Sequence, residues 1–165
     1  MKNYNSLIKK INKLNAKICI VGLGYVGLPL LIHFSKKKFN LIGYDKDIEK
    51  IDNLNKGISY ISNIKDKTIK SLSESKKINF TSDENFLGKA DIVICCLPTP
   101  IKKNKAPDMT YIKDFSFLIK KSIRIGQLII LESTTYPGTT ENYIVSVCKK
   151  KKLEIGKDVF VCYSP

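Results

Sequence analysis

Three glycines, Gly22, Gly24 and Gly27, follow an apolar segment at residues 18–21 and precede a segment with helical periodicity. In a strand–turn–helix of this kind, the first glycine allows a tight turn and the second lets a pyrophosphate approach the backbone. The third lets the helix pack closely on the strand. The helix N-terminus then presents unpaired N–H groups and the positive end of the helix dipole to phosphate. The spacing therefore predicts a dinucleotide-binding loop, and the alternative is an ordinary glycine turn.

Asp45 ends the next predicted strand, about 20 residues beyond the glycines, where dinucleotide-binding folds carry an acidic residue. A carboxylate there accepts hydrogen bonds from the adenosine ribose hydroxyls and repels the extra phosphate of NADP, so the predicted cofactor is NAD. Lys46 and Lys50 lie nearby and weaken that discrimination. Asp45 is also suited to a helix N-cap or a turn, which is the alternative interpretation.

Hydroxyl side chains follow two later strands of the predicted sheet. Thr99 lies in a stiff Leu-Pro-Thr-Pro segment at residues 97–100, and a cluster of serine and threonine residues occupies 133–140. Ligands bind at the carboxyl edge of open α/β sheets, so Thr99 is expected to face the cofactor and the cluster to approach the substrate. The alternatives are an ordinary turn at residues 98–100 and an N-cap for the following helix, and the cluster has enough hydroxyls for both tasks.

The positions of these residues in the fold depend on an alternation of strands and helices along the chain. Strands are predicted at residues 17–21, 40–44, 78–81, 91–97, 127–131 and 158–163. Helices are predicted at residues 26–37, 47–55, 66–75, 83–88, 108 or 110 to 123, and 139–150. The alternation predicts an α/β fold: a Rossmann-type, doubly wound and mainly parallel sheet with strand order 3-2-1-4-5-6. The helix at 47–55 is expected to point Ile48, Ile51 and Leu54 inward.

Residues 1–16 form an N-terminal arm in this prediction, and residues 17–165 form the NAD-binding domain. The apolar residues of the arm recur at helical spacing among lysines and asparagines: Leu7, Ile8, Ile11 and Leu14. We expect an amphipathic helix that docks on the domain or on a partner subunit. A membrane-surface role is less favoured, because the apolar face is short.

The length of 165 residues and the hydrophobic content of 43% suit one folded domain with its own core. The polar, lysine-rich N-terminus lacks the apolar core of a signal peptide, and no apolar run reaches the length of a membrane span. A cytoplasmic location without a membrane partner is therefore expected.

The net charge of +14 raises the question of nucleic-acid binding. Arg124 is the only arginine, and base recognition and bidentate phosphate contacts favour arginine over lysine. The composition therefore disfavours specific nucleic-acid binding, although a positive surface helps to attract an anionic substrate or cofactor.

The five cysteines include no C-x-x-C pair, and their odd number indicates apolar core residues in a reducing compartment. They are Cys19, Cys95, Cys96, Cys148 and Cys162. Cys95 and Cys96 should point to opposite faces of one strand. His33, the only histidine, is expected to be a packing or surface residue, and no metal site is predicted.

Five short motifs are spread over the chain: VGLGYVGLP at 21–29, LPTP at 97–100, PD at 107–108, ESTTYPGTT at 132–140 and YSP at 163–165. Their residues and order resemble the N-terminal NAD-binding domain of the UDP-sugar 6-dehydrogenases. The glycine motif is shared with many dehydrogenases, whereas the hydroxyl-rich motif is much more particular. Within the family, the chain is most similar to the bacterial branch that acts on UDP-N-acetylhexosamines and makes uronic acids for surface polysaccharide.

The resemblance implies two oxidations of the sugar C6 alcohol with two NAD, through an aldehyde and a thioester on a catalytic cysteine. By motif position, Tyr25 and Val26 would contact the pyrophosphate through backbone N–H groups. Asp45 would bind the ribose, Lys50 would lie near the adenosine, and Thr99 would contact NAD.

The same resemblance gives Thr134 two roles at the edge where the nicotinamide is expected: it would contact the cofactor and help to position a catalytic water. A shift of one residue would assign the water to Thr135 instead. In the family, the catalytic lysine and cysteine follow the segment that ends at residue 165. None of the five cysteines occupies the nucleophile's place.

The chain is therefore expected to be a truncated protein or an excised domain that binds NAD without turnover. The UDP-sugar would be a substrate of the full-length enzyme only, and a homodimer is one expected assembly. Two alternatives stay open: a freestanding NAD-binding module or sensor, and the first domain of a β-hydroxyacid or 6-phosphogluconate dehydrogenase. The hydroxyl-rich motif argues against the second.

Overall fold

A single six-stranded parallel sheet forms the centre of the fold. The computed structural model describes residues 2–101 and 106–164. The sequence also predicts a surface loop at residues 102–107, and its residues 102–105 lie outside the described residues. The strand order is β3-β2-β1-β4-β5-β6, which confirms the predicted doubly wound topology. The strands are β1 Lys17–Val21, β2 Asn40–Tyr44, β3 Ile78–Thr81, β4 Ile92–Cys95, β5 Leu128–Leu131 and β6 Phe160–Tyr163.

Helices connect the strands as the alternation predicts. They are α1 Lys2–Asn12, α2 Gly27–Lys36, α3 Ile48–Asn55, α4 Asp66–Ser73, α5 Thr110–Ser122 and α6 Ser146–Lys150. A 3-10 helix, Glu84–Lys89, takes the place of the short helix expected at 83–88, and a π-helical segment, Glu141–Val145, leads into α6. No helix in the described part of the chain is long and apolar enough to cross a membrane.

Two hydrophobic cores cover the two faces of the sheet. Side chains alternate between faces along a strand, so Cys95 belongs to the core beneath α5 and Cys96 to the core beneath α2, as predicted. Cys148 is buried from a helix, which also fits the expectation of a core thiol. The expectation is wrong for Cys162, which is exposed because β6 is an edge strand.

The N-terminal helix α1 docks on the domain through Leu7, which is buried. Tyr4 contacts the ring of Phe160 edge-on at a centroid distance of 6.0 Å, and Lys10 lies 2.7 Å from the carboxylate of Asp91. The expected contribution of Ile8 and Leu14 is wrong, since both side chains are exposed. α1 ends at Asn12, so the helical spacing does not extend to Leu14, whose φ is +56°.

Candidate functional site

A cleft of about 980 Å³ opens at the carboxyl ends of β1, β2, β4 and β5. Its lining brings together residues that are far apart in the sequence. Among them are all but one of the predicted cofactor contacts: Gly22, Gly24, Tyr25, Val26, Asp45, Lys50, Thr99 and Thr134. Gly27, the exception, lies buried behind the loop at the start of α2. Thr135, the alternative candidate for the water-positioning role, lies outside the cleft lining.

The three glycines of the loop meet three different steric demands. Gly22 has φ +89°, and a Cβ atom there would lie 2.9 Å from the Cys96 carbonyl oxygen. A Cβ atom on Gly27 would overlap the carbonyl oxygen of Gly22, so only glycine lets α2 pack this close to the strand. At Gly24, no atom lies within 4 Å of a Cβ position. Gly24 also lines the cleft, so a side chain at this position would meet open space, as the predicted approach of a pyrophosphate requires.

The start of α2 offers backbone donors to this space. Tyr25 is 77% exposed and Val26 is 55% exposed, and both line the cleft. Within the described ranges, no hydrogen-bond acceptor is recorded for their backbone N–H groups. Pro29 lies in the first turn of the helix, where its missing N–H has little consequence. These donors and the helix dipole suit a bound anion.

Asp45 is buried at the end of β2 and faces the glycine loop. Its Oδ2 atom accepts a hydrogen bond from the Leu23 backbone N–H at 2.8 Å, and Oδ1 accepts one from the Asp47 N–H at 3.1 Å. The N-cap of α3 is Asp47, whose Oδ1 accepts from the N–H groups of Glu49 and Lys50. Asp45 is thus not the helix cap of the alternative interpretation, although its bond to Asp47 does stabilise the turn.

The two lysines beside Asp45 are both paired with carboxylates. The Nζ atom of Lys50 lies 3.7 Å from Asp45 and 4.0 Å from Asp47. Lys46 reaches across the cleft to α5, where its Nζ lies 3.6 Å from Asp114 and 5.1 Å from the centroid of the Tyr111 ring. Three carboxylates against two ammonium groups leave one net negative charge at this end of the cleft.

Hydrogen bonds join the loops that follow β4 and β5. The Thr99 hydroxyl donates to the Thr134 carbonyl oxygen at 2.7 Å, and the buried Ser133 hydroxyl donates to the Leu97 carbonyl oxygen at 2.8 Å. The Thr139 hydroxyl donates to the Tyr136 carbonyl oxygen at 2.8 Å. This bond closes the preceding turn, and Thr140, the N-cap of the π-helical segment, makes no side-chain cap hydrogen bond.

Sequence reasoning missed aromatic residues in and beside this cleft. Tyr111 and Phe115 line it from α5, and Tyr60 reaches the glycine loop from the segment after α3. None of the three belongs to a recognisable motif. Only the spacing of Tyr111 and Phe115, at i and i+4 on one helix, indicates that they share a face.

The buried thiols are poorly suited to nucleophilic chemistry. Burial raises the pKa of Cys96, which lines the cleft, to about 12, and a Coulombic contribution from Glu132 acts in the same direction. Burial also raises the pKa of Cys19 and Cys95, so these thiols are protonated at neutral pH. Across residues 2–101 and 106–164, no group of three His, Cys, Asp or Glu side chains could hold a metal ion, and His33 is exposed.

Residues 16–165 match the family described as UDP-glucose/GDP-mannose dehydrogenase family, NAD binding domain. The chain belongs to this family. A UDP-N-acetyl-D-glucosamine 6-dehydrogenase from Pseudomonas aeruginosa is 39% identical over 150 residues, which cover 90% of this chain and 35% of the relative. The family relationship confirms the predicted cofactor, NAD, and the resemblance to the N-terminal domain of the UDP-sugar dehydrogenases.

Solved structures of family members superpose closely on the chain. A UDP-D-ManNAc dehydrogenase from Pyrococcus horikoshii gives a TM-score of 0.82 at 31% identity, with 90% of this chain and 36% of that chain covered. A GDP-mannose dehydrogenase from P. aeruginosa, solved as a ternary complex, gives a TM-score of 0.80 at 29% identity. The match covers 87% of this chain and 34% of that chain. The chain thus spans about 35% of the length of the family members that it matches.

Proposed function

We propose that this chain supplies the NAD-binding part of a UDP-N-acetylhexosamine 6-dehydrogenase. The observation that carries the proposal is the open space at Gly24, which is bordered by the free N–H groups of Tyr25 and Val26 and lies close to the Asp45 carboxylate. The names of the relatives support the substrate class, since they include dehydrogenases of UDP-N-acetyl-D-glucosamine and UDP-N-acetyl-D-mannosamine.

Each part of the cofactor has a suitable partner in the cleft. The N–H groups of Tyr25 and Val26 would bind the pyrophosphate, and the Asp45 carboxylate would accept hydrogen bonds from the adenosine ribose. Lys50, close to Asp45, would lie beside the adenosine. The net negative charge of this region favours NAD over NADP, because the additional phosphate would meet more carboxylates than ammonium groups.

Thr99 and Thr134 would contact the cofactor at the other end of the cleft, where the nicotinamide is expected. NAD, when bound, accepts the hydride removed from the sugar C6 carbon. Thr134, with its side chain exposed at the cleft, would help to position the water for the last step. The Thr99 hydroxyl, by its bond to the Thr134 carbonyl, would hold the two loops at a fixed separation.

We further propose that these 165 residues bind NAD without turnover. Four of the five cysteines are buried, and Cys162 lies on the edge strand β6, so we assign none of them the role of nucleophile. The catalytic cysteine and lysine, the UDP-sugar site and a homodimer interface would belong to the complete enzyme. A role in surface polysaccharide synthesis and a cytoplasmic location remain predictions from the sequence.

A fluorescence titration of the 165-residue chain with NADH, repeated with NADPH, tests the proposal. We expect saturable NADH binding, weaker NADPH binding, and weaker NADH binding after Asp45→Ala. We also expect no NADH formation when the chain is mixed with NAD and UDP-N-acetylglucosamine. A folded chain without NADH binding would overturn the cofactor assignment, and NADH formation would overturn the proposed lack of turnover.

A further inference from the structure

Tyr60 makes a hydrogen bond to the glycine loop from outside the loop. Its hydroxyl donates to the Leu23 carbonyl oxygen at 2.6 Å, across 37 positions of sequence. The N–H of Leu23 donates to the Asp45 carboxylate at 2.8 Å, and the Leu23 side chain is fully buried. Both backbone polar groups of Leu23 are therefore held by side chains from other elements.

We propose that Tyr60 is a positioning residue of the cofactor site, which orients the Leu23–Gly24 peptide so that the loop is preformed for pyrophosphate. A trans peptide is planar, and its C=O and N–H groups point in opposite directions. A bond that fixes the Leu23 carbonyl therefore also fixes the direction of the Gly24 N–H. The inference rests on the proposed binding of NAD at this loop.

The segment that carries Tyr60 is itself tightly held. The Ser59 N–H donates to the Asp66 carboxylate at 2.7 Å, and the Ser59 hydroxyl bonds to the backbone of Ile61. Ile61 is buried in the core beneath α2. Tyr60 thus lies between two anchored neighbours, so its hydroxyl reaches the loop from a fixed position, which favours a positioning role over a chance surface contact.

The surroundings of Tyr60 keep its hydroxyl protonated, so that it can donate a hydrogen bond. Burial, together with the nearby carboxylates of Asp45 and Asp47, raises the pKa of Tyr60 above its ordinary value. Lys50 lies over the ring, with its Nζ atom 5.9 Å from the centroid, and also pairs with Asp45. Tyr60, Lys50 and Asp45 therefore form one connected group beside the ribose end of the proposed cofactor site.

The substitution Tyr60→Phe isolates the hydroxyl, because it keeps the ring that packs beside Lys50. Tyr4→Phe is the matched control, since Tyr4 contacts Phe160 far from the cleft. We expect Tyr60→Phe to weaken NADH binding about 3- to 10-fold, the effect of one lost, partly buried hydrogen bond that holds the loop. We expect Tyr4→Phe to leave NADH affinity unchanged within about 2-fold.

Amide hydrogen exchange distinguishes a positioning role of Tyr60 from a purely structural one. With the carbonyl released, exchange at Leu23 and Gly24 should become faster in Tyr60→Phe, while exchange at the core residue Cys19 should stay slow. Circular dichroism and thermal unfolding should show a folded chain. A Tyr60→Phe chain that fails to fold would assign the hydroxyl to stability and overturn the proposal.

The outcomes also separate this inference from the proposed function. If the wild-type chain binds NADH and Tyr60→Phe binds it equally well, the positioning role is wrong and the NAD site stands. If the folded wild-type chain does not bind NADH, both proposals fail. Weaker binding with faster exchange confined to the loop supports both.

Discussion

The Leu23 amide nitrogen lies 2.8 Å from the Oδ2 atom of Asp45, so the carboxylate expected to bind ribose also supports the glycine loop. Asp45 is buried, and its second oxygen accepts from the Asp47 N–H. A change at Asp45 therefore acts on the cofactor and on the loop that receives it. The two effects can be separated by choosing substitutions that keep or remove the hydrogen-bond acceptor.

We expect Asp45→Ala to weaken NADH binding about tenfold or more and to lower the free energy of unfolding by about 1–3 kcal/mol, because a buried N–H loses its acceptor. Asp45→Asn keeps an acceptor for Leu23 but removes the charge, so it should lose less stability and discriminate less against NADPH. NADH and NADPH titrations with urea unfolding measure both effects. Unchanged NADH affinity in Asp45→Ala would contradict the ribose assignment.

Two alanine substitutions in the glycine loop should affect different properties: one should lower NADH affinity, and the other should lower the stability of the fold. Gly24→Ala adds a Cβ atom to open space, so the free energy of unfolding should change by less than about 1 kcal/mol. NADH affinity should still fall about tenfold, since the methyl group would occupy space needed by pyrophosphate. Gly27→Ala would bring its Cβ into the Gly22 carbonyl and should destabilise the chain by more than about 2 kcal/mol.

Urea unfolding and NADH titration of both variants test this pair. Gly24→Ala serves as the matched control for stability, because the chemical change is the same and only the surroundings differ. Tight NADH binding by a stable Gly24→Ala chain would show that the cofactor does not approach the backbone there.

The fold was predictable because short-range sequence patterns indicate where its strands and helices lie. Strand–helix alternation gave the parallel sheet and its order, and the apolar run through Cys95 and Cys96 marked a strand covered on both faces. The end of that strand was less predictable. β4 stops at Cys95, although the Cys96 N–H still donates to Val21 at 2.8 Å, and the apolar run continues to residue 97. Hydropathy records burial, and Cys96 is buried although it lies beyond the last residue of β4.

Some incorrect predictions concern the ends of helices, and a long-range contact was not predicted at all. Ile48 is 64% exposed because it lies about 120° around the helix from the buried Leu54. Asp45 could be located from its spacing to the glycines, which is fixed by one β-α-β unit. Tyr60 could not, because its bond to Leu23 depends on how the segment after α3 folds back, and no short pattern encodes that path.

The bond from the Thr99 hydroxyl to the Thr134 carbonyl predicts a difference between two substitutions. Thr99→Ser keeps a donor, and its NADH affinity should stay within about 2-fold of wild type. Thr99→Val keeps the shape but removes the donor, so the two loops keep only the bond from Ser133 to Leu97 and NADH affinity should fall about 3- to 10-fold. The NADH titration measures both, and equal affinities for the two variants would show that the hydroxyl does not support the cofactor site.

Asp91 connects four parts of the chain at the opposite edge of the sheet. Its carboxylate accepts from Lys10 of α1 at 2.7 Å, from the Lys17 N–H at 3.0 Å and from Arg124 at 3.2 Å. Burial alone would raise the pKa of Asp91, but these donors outweigh it and the pKa is lowered. A lowered native pKa means that the folded state binds this proton less readily than the unfolded state does.

The stability that Asp91 contributes should therefore be complete above the pKa of an unfolded aspartate, about 3.9, and disappear as the pH falls through the native value. We expect Asp91→Asn to lower the free energy of unfolding by about 1–3 kcal/mol at pH near 6, with a difference from wild type that shrinks below about pH 4. Asp52→Asn, at an exposed position on α3, is the matched control and should change it by less than about 0.5 kcal/mol.

Lys10→Met tests the contribution of the arm to the same cluster. Lys10 is about half exposed, so its loss should lower the free energy of unfolding by about 1 kcal/mol or less, and Arg124 and the Lys17 N–H should still hold the Asp91 pKa low. Urea unfolding between about pH 3 and 7 measures the free energy of unfolding of Asp91→Asn and Lys10→Met. If the difference between Asp91→Asn and wild type were constant over that range, the cluster would act through packing, and its charge would contribute nothing to the pH dependence of stability.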